Sequence, residues 1–117
     1  MANVSWTHNG SGIWTTKTDW SNGTLPGSGD QVSISTAAAA TITVSSGTNE
    51  VDTLSTAAND ALALTGGTLD ILGSGALYGA VTQSKAASKF IVSGTGTYAY
   101  GNFKQTAGTA VLQGLNT

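Results

Sequence analysis

The 117-residue chain has no cysteine, no arginine and a single proline. Each shortage closes a class of explanation. Without cysteine there is no disulfide framework, no thiolate nucleophile and no cysteine metal site. Small exported domains often reinforce a thin core with disulfides, and that route is closed here. With no arginine, and lysine only at 17, 85, 89 and 104, no cationic cluster exists to hold phosphates. Nucleic acid is therefore not expected as a partner. The same scarcity removes an electrostatic footprint on anionic membranes. Charged residues make up 9% of the chain, against about 25% in ordinary domains. No run approaches the ~18 apolar residues of a membrane helix, so insertion is not expected. Met1-Ala2-Asn3-Val4-Ser5 is not the basic and then apolar start of a signal peptide. The chain is expected to stay in the cytosol, to leave by a route without a cleaved signal, or to have lost its first residues.

What is abundant is small and polar. Thr (19), Ser (13), Gly (16) and Ala (16) supply over half the residues, a mixture suited to short strands and tight turns. Leu, Ile, Val and Phe number only 23, near the ~20% floor below which chains often stay disordered. A net charge of -2 lacks the repulsion that disorder also requires. The length suits one domain.

The most distinctive stretch is Trp14 to Ile34, WTTKTDWSNGTLPGSGDQVSI. It holds two of the three tryptophans, the only proline, and Asp30 immediately before an alternating run. The runs Val4-Ser5-Trp6 and Gly12-Ile13-Trp14-Thr15 flank an Asn9-Gly10 turn signal, and Asn-Gly recurs at 22–23. Residues 1–29 are therefore expected to form a Trp-rich cap, a small β-meander with inward aromatics. Pro26, Gly27, Gly29 and Asp30 form the turn that delivers the chain into its first regular strand.

Residues 30–117 are expected to form stacked rungs. Gln31–Ser35 and Thr41–Ser45 alternate polar and apolar, as half-buried strands do. The alanines at 37–40 are too few for a helix and read as a connecting turn or a further strand. Tyr78–Gln83 is echoed at Tyr100–Gln105, 22 residues later, and Phe90–Gly94 at Ala110–Gly114, 20 residues later. Leu64–Thr68 and Val92–Thr97 look like the same strand-turn. A drifting period of about 20–28 residues with Gly-rich corners predicts an all-β solenoid. The alternative is an antiparallel β-sandwich of roughly nine strands. Its best support is the hairpin-like Gly66-Gly67 and Gly73-Ser74-Gly75.

The order Trp14…Trp20-Ser21-Asn22-Gly23…Leu25-Pro26-Gly27…Gly29-Asp30-Gln31-Val32-Ser33-Ile34 resembles the opening of large bacterial secreted or surface proteins. These are autotransporter passenger domains and type I-secreted adhesin-like proteins. The resemblance spans about residues 6–35, with a looser rung pattern beyond. It implies a right-handed parallel β-helix and a secreted or cell-surface setting. It says little about activity. Those proteins run to hundreds or thousands of residues, so it also implies either a fragment or a short form completed by association.

Candidate chemistry is sparse. Glu50 and Asp52 stand i, i+2, so both would share a face of a regular strand. They are the one carboxylate pair that suggests polysaccharide cleavage, against the plainer reading of solvated acids at a strand edge. Asp30 suits either a Ca²⁺ ligand or a turn carboxylate accepting backbone N–H bonds, and the second is favoured without a D-x-D-x-D-G run. His8 reads as a turn residue, because no G-x-S-x-G motif accompanies it. Gly94-Thr95-Gly96 has no following helix to make a phosphate loop. Trp6, Trp14 and Trp20 would make a carbohydrate platform if exposed, or a core cap if buried, and the thin core favours the cap. Tyr98 and Tyr100 should share a strand face.

The expected function is a non-enzymatic extracellular structural or adhesive module. It would associate with itself through the C-terminal rung near Val111-Leu112, which no proline or charge blunts. A carbohydrate-binding module acting on surface glycan is the second reading. A polysaccharide-active enzyme is the third. No cofactor is implied.

Overall fold

A computed structural model describes residues 3–8, 10–92, 97–112 and 115–116, with the backbone alone at 97–102, 112, 115 and 116. Thirteen strands are present among them: β1 (Asn3–Ser5), β2 (Gly12–Ile13), β3 (Gln31–Ile34), β4 (Ala40–Val44), β5 (Thr48–Val51), β6 (Thr53–Thr56), β7 (Asp60–Leu64), β8 (Thr68–Ile71), β9 (Gly75–Gln83), β10 (Lys89–Val92), β11 (Thr97–Gln105), β12 (Thr109–Leu112) and β13 (Leu115–Asn116). The single helical piece described is one 3-10 turn, Lys17–Asp19.

The strands wind into a parallel β-solenoid. One face stacks β1, β3, β6, the first part of β9, the first part of β11, and β13. A second stacks β2, β4, β7 and the later parts of β9 and β11. A third stacks β5, β8, β10 and β12. From β3 to β11 the chain completes about three turns. Every pairing between named strands is parallel, and among the described residues the one antiparallel contact is the isolated bridge Trp6↔Trp20. The antiparallel sandwich is therefore not this fold.

Alternation drives the coil. β3 buries Val32 and Ile34, β4 buries Ile42 and Val44, and β7 buries Leu62 and Leu64. Each strand offers two or three apolar side chains, too few to form a core alone. Parallel register superimposes them into columns such as Val32–Leu54 and Leu69–Phe90. The sequence echoes are register made visible. Asn102 to Gln105 pair with Ala80 to Gln83, an offset of 22, and Phe90 pairs with Ala110, an offset of 20. The likeness of Leu64–Thr68 to Val92–Thr97 falls on 93–96, outside the described residues.

The glycine pairs that suggested hairpins are stacked corners. A Cβ on Gly66 would lie 2.7 Å from the Ser45 carbonyl oxygen, and one on Gly67 would lie 2.7 Å from that of Ser46. Close backbone stacking is a sufficient reason for glycine there. The alanine stretch forms the connecting corner after β3, with Ala40 already in β4.

The opening segment departs from the expected meander. β1 and β2 do not pair with each other. β1 adds to β3 and β2 adds to β4, so both belong to an incomplete first coil. Asn-Gly signals a tight turn, but pairing partners were decided by the sheet edges waiting at β3 and β4. Gly23, at φ +71, does occupy the left-handed region the second Asn-Gly requires.

Candidate functional site

The tryptophans converge on one knot between the incomplete coil and the solenoid. Trp6 and Trp20 meet edge to face at 5.0 Å between centroids and 86°. Trp14 and Trp20 meet at 4.9 Å and 65°. The Trp20 Nε1–H donates to the Trp14 carbonyl at 2.8 Å, and the Trp6 Nε1–H to the Gly10 carbonyl at 3.1 Å. All three side chains are at most 3% exposed. A sugar ring therefore has no indole face to stack on, and the carbohydrate platform at Trp6, Trp14 and Trp20 is replaced by a core lid. The physical reason is area. Each indole removes ~150–250 Å² from water, worth a few kcal/mol at ~25 cal/mol per Å², in a core otherwise built from small side chains.

The turn into β3 is closed reciprocally. The Gly27 N–H donates to Asp30 Oδ2 at 2.7 Å, and the Asp30 N–H to the Gly27 carbonyl at 3.0 Å. Pro26 is buried and Leu25 packs against the core, while Gly29 is exposed. The Asp30 carbonyl accepts from the Asp52 N–H at 2.9 Å, so this turn also seats the next corner. Asp30 acts here as a turn carboxylate.

Glu50 and Asp52 do not form a pair on one strand face. β5 ends at Val51, and Asp52 lies in the bend after it, with Oδ1 against Gly73. Residues i and i+2 share a face only while the strand continues. The register neighbour of Glu50 is instead Asp70, on β8. His8 is exposed at the lid, 3.9 Å from the Asp19 carboxylate and edge-on to Trp6. The Gly94-Thr95-Gly96 stretch and the side chains of Tyr98 and Tyr100 lie outside the described residues.

Sequence reasoning passed over the polar groups that the fold uses most. Asp60 is buried at the start of β7, and its carboxylate accepts the Thr36 N–H at 2.9 Å and the Thr36 hydroxyl at 2.5 Å. Asn59 Nδ2 donates to the Thr36 carbonyl at 3.0 Å. Asn49 is inward on β5 and donates from Nδ2 to the carbonyls of Ser46 at 3.2 Å and Thr68 at 3.1 Å. Gln83, fully buried, donates from Nε2 to the carbonyls of Ser88 at 3.0 Å and Thr109 at 2.8 Å. Most of these bonds run between successive coils. The signal was available in the phase of alternation: Asp60, Asn49 and Gln83 occupy inward positions where apolar residues are expected.

Beside Gln83 lies a shallow hollow of about 230 Å³ lined by Thr82, Gln83, Ser84, Lys104 and Thr106. Among the described residues no three metal-ligating side chains come together, and no helix is long and apolar enough to cross a membrane. Comparison with protein-family models, with curated proteins and with solved structures finds no match.

Proposed function

We propose that this chain is a non-enzymatic structural or adhesive module of the cell exterior, secreted or held at the surface, that associates with itself through its C-terminal coil. The observation that carries the reading is where the polar chemistry goes. Asp60, Asn49 and Gln83 are committed to joining one coil to the next, and Asp30 to closing a turn. The outward positions of the first two faces hold Ser33, Ser55, Thr41, Thr43 and Thr82, a hydroxyl surface with little charge. The resemblance of Trp14–Ile34 to secreted solenoid openings supports the extracellular setting.

The C-terminal coil supports self-association. β12 is the last strand of its sheet among the described residues, and Val111 on it is exposed. An unpaired edge beside exposed apolar surface invites another strand. Sedimentation velocity across a concentration series is expected to show species larger than the monomer growing in. A strict monomer at the highest concentration would remove the self-association. Fractionation of producing cells should find the chain in the medium or open to protease at the surface, and confinement to the cytosol would remove the extracellular setting.

A further inference from the structure

Charge is distributed along the solenoid axis with a sign change. Residues 1–74, which make the lid and the coils through β8, contain all six carboxylates and one lysine, a net of -5. Residues 75–117, which make the coils of β9 to β13, contain three lysines and no carboxylate, a net of +3. Asp60 is buried and bonded, which still leaves Asp19, Asp30, Glu50 and Asp52 in the lid and first coil. Lys85, Lys89 and Lys104 are exposed in the last two coils. At ~4.8 Å per coil Lys104 on β11 lies roughly 20 Å along the axis from β2, the first strand of its face, while Glu50 on β5 and Lys89 on β10 are two coils, roughly 10 Å, apart. The larger separation exceeds the ~8–10 Å over which salt screens charges at physiological strength, and the smaller is comparable to it. The lid, with Asp19 and Asp30, and the last coil, with Lys104, therefore present opposite signs to an approaching molecule.

Among the described residues, both ends also carry strands paired on one side only. β1 and β2 are the outermost strands at the acidic end, and Ile13 on β2 is 46% exposed. β12 is outermost in its sheet at the basic end, and Val111 on it is 38% exposed. Two of the four large exposed apolar side chains among the described residues thus lie on terminal strands at opposite ends.

The geometry points to a head-to-tail contact between copies of this chain, the basic C-terminal coil of one against the acidic lid and first coil of the next. The inference rests on the self-association proposed above and adds the identity and polarity of the partner surface. Tail-to-tail contact would bring Lys85, Lys89 and Lys104 against their own copies, and head-to-head contact would oppose carboxylates. Only the head-to-tail arrangement opposes unlike charges. Such a contact joins two different surfaces, so it does not close at two copies and propagates as an open filament. Complementary charge acts chiefly on encounter and orientation, and weakens with salt.

The test uses the 117-residue chain at about 0.01 M and about 1 M salt, with sedimentation velocity and electron microscopy. The low-salt sample is expected to form a series extending past the dimer, with short linear stacks, and high salt should return it toward monomer. Lys85→Glu/Lys89→Glu/Lys104→Glu makes both ends acidic and should weaken association about tenfold or more at low salt. Glu50→Lys/Asp52→Lys, which reduces the acidic end, should weaken it less. An equimolar mixture of the two variants offers one matched contact, the basic end of the double variant against the acidic end of the triple variant, and should form a mixed dimer in excess of what either variant forms alone. Association of the unaltered chain that stops at the dimer, or strengthens with salt, overturns the head-to-tail contact but leaves the self-association reading standing. Failure of the mixture to form the mixed dimer, with both variants folded by circular dichroism, does the same. A strict monomer at both salt concentrations removes both proposals.

Discussion

Gly79 shows how far one residue decides this fold. It lies inside β9, the nine-residue strand that passes from the first face to the second without a corner. A Cβ there would sit 1.5 Å from the Asp60 carbonyl oxygen, so the backbones of two coils touch at this point. Gly79→Ala is expected to cost about 3 kcal/mol or more, because backbone must move to admit the methyl group. Gly29 has nothing within 4 Å of its Cβ position and no left-handed φ. Gly29→Ala should be neutral or stabilise by ~0.4–1 kcal/mol, through a less flexible unfolded chain. Urea unfolding of the two variants checks the contrast. Asp60→Ala would leave the Thr36 N–H without its acceptor and should cost about 2–3 kcal/mol by the same measurement. An unchanged midpoint would mean that water replaces the carboxylate at little cost.

The lid is the element on which the core depends most. Trp14 is fully buried, and its carbonyl accepts the Trp20 indole N–H. Trp14→Ala is expected to cost about 3–5 kcal/mol and to loosen Trp20 with it. In the unaltered chain the three indoles should emit to the blue of free tryptophan and resist quenching by acrylamide. An oligosaccharide panel should leave that emission unchanged. Red-shifted, readily quenched fluorescence would mean that the lid opens in solution. The opening motif between Trp14 and Ile34 marked this lid in the sequence. The strand partners were not marked. β1 and β2 read as a hairpin pair because Asn-Gly is local chemistry, whereas their pairing with β3 and β4 joins residues about thirty positions apart.

At the scale of the molecule, stability should be graded along the axis. A solenoid coil touches only its neighbours, so its cohesion is a sum over adjacent pairs. β6, β7 and β8 have a coil on each side. β2 has two residues and one neighbour. Hydrogen exchange is expected to be slowest in β6–β8 and fastest at Gly12 and Ile13. Uniform protection from β1 to β12 would show that the lid and the coils open as a single unit. The axial charge asymmetry belongs to this scale too. Lys85, Lys89 and Lys104 already follow the last carboxylate, Asp70, in the sequence, and winding the chain coil upon coil turns that order into an axial one.

Alternation, the 20- and 22-residue echoes, and the cluster of tryptophan, proline and Gly-Asp turn pointed to an all-β domain with an indole lid, and favoured a coil over the antiparallel sandwich that the same alternation permits. These are short-range patterns, and short-range patterns record which side of a strand is dry. The tertiary structure decided which strand lies beside which, that Glu50 lies in register beside Asp70 on the neighbouring coil while Asp52 lies past the end of its strand, and that Asp60, Asn49 and Gln83 fasten successive turns. Those outcomes depend on contacts about twenty residues apart. There a one-residue change in corner length moves a side chain from the core to the surface, and composition carries no trace of it.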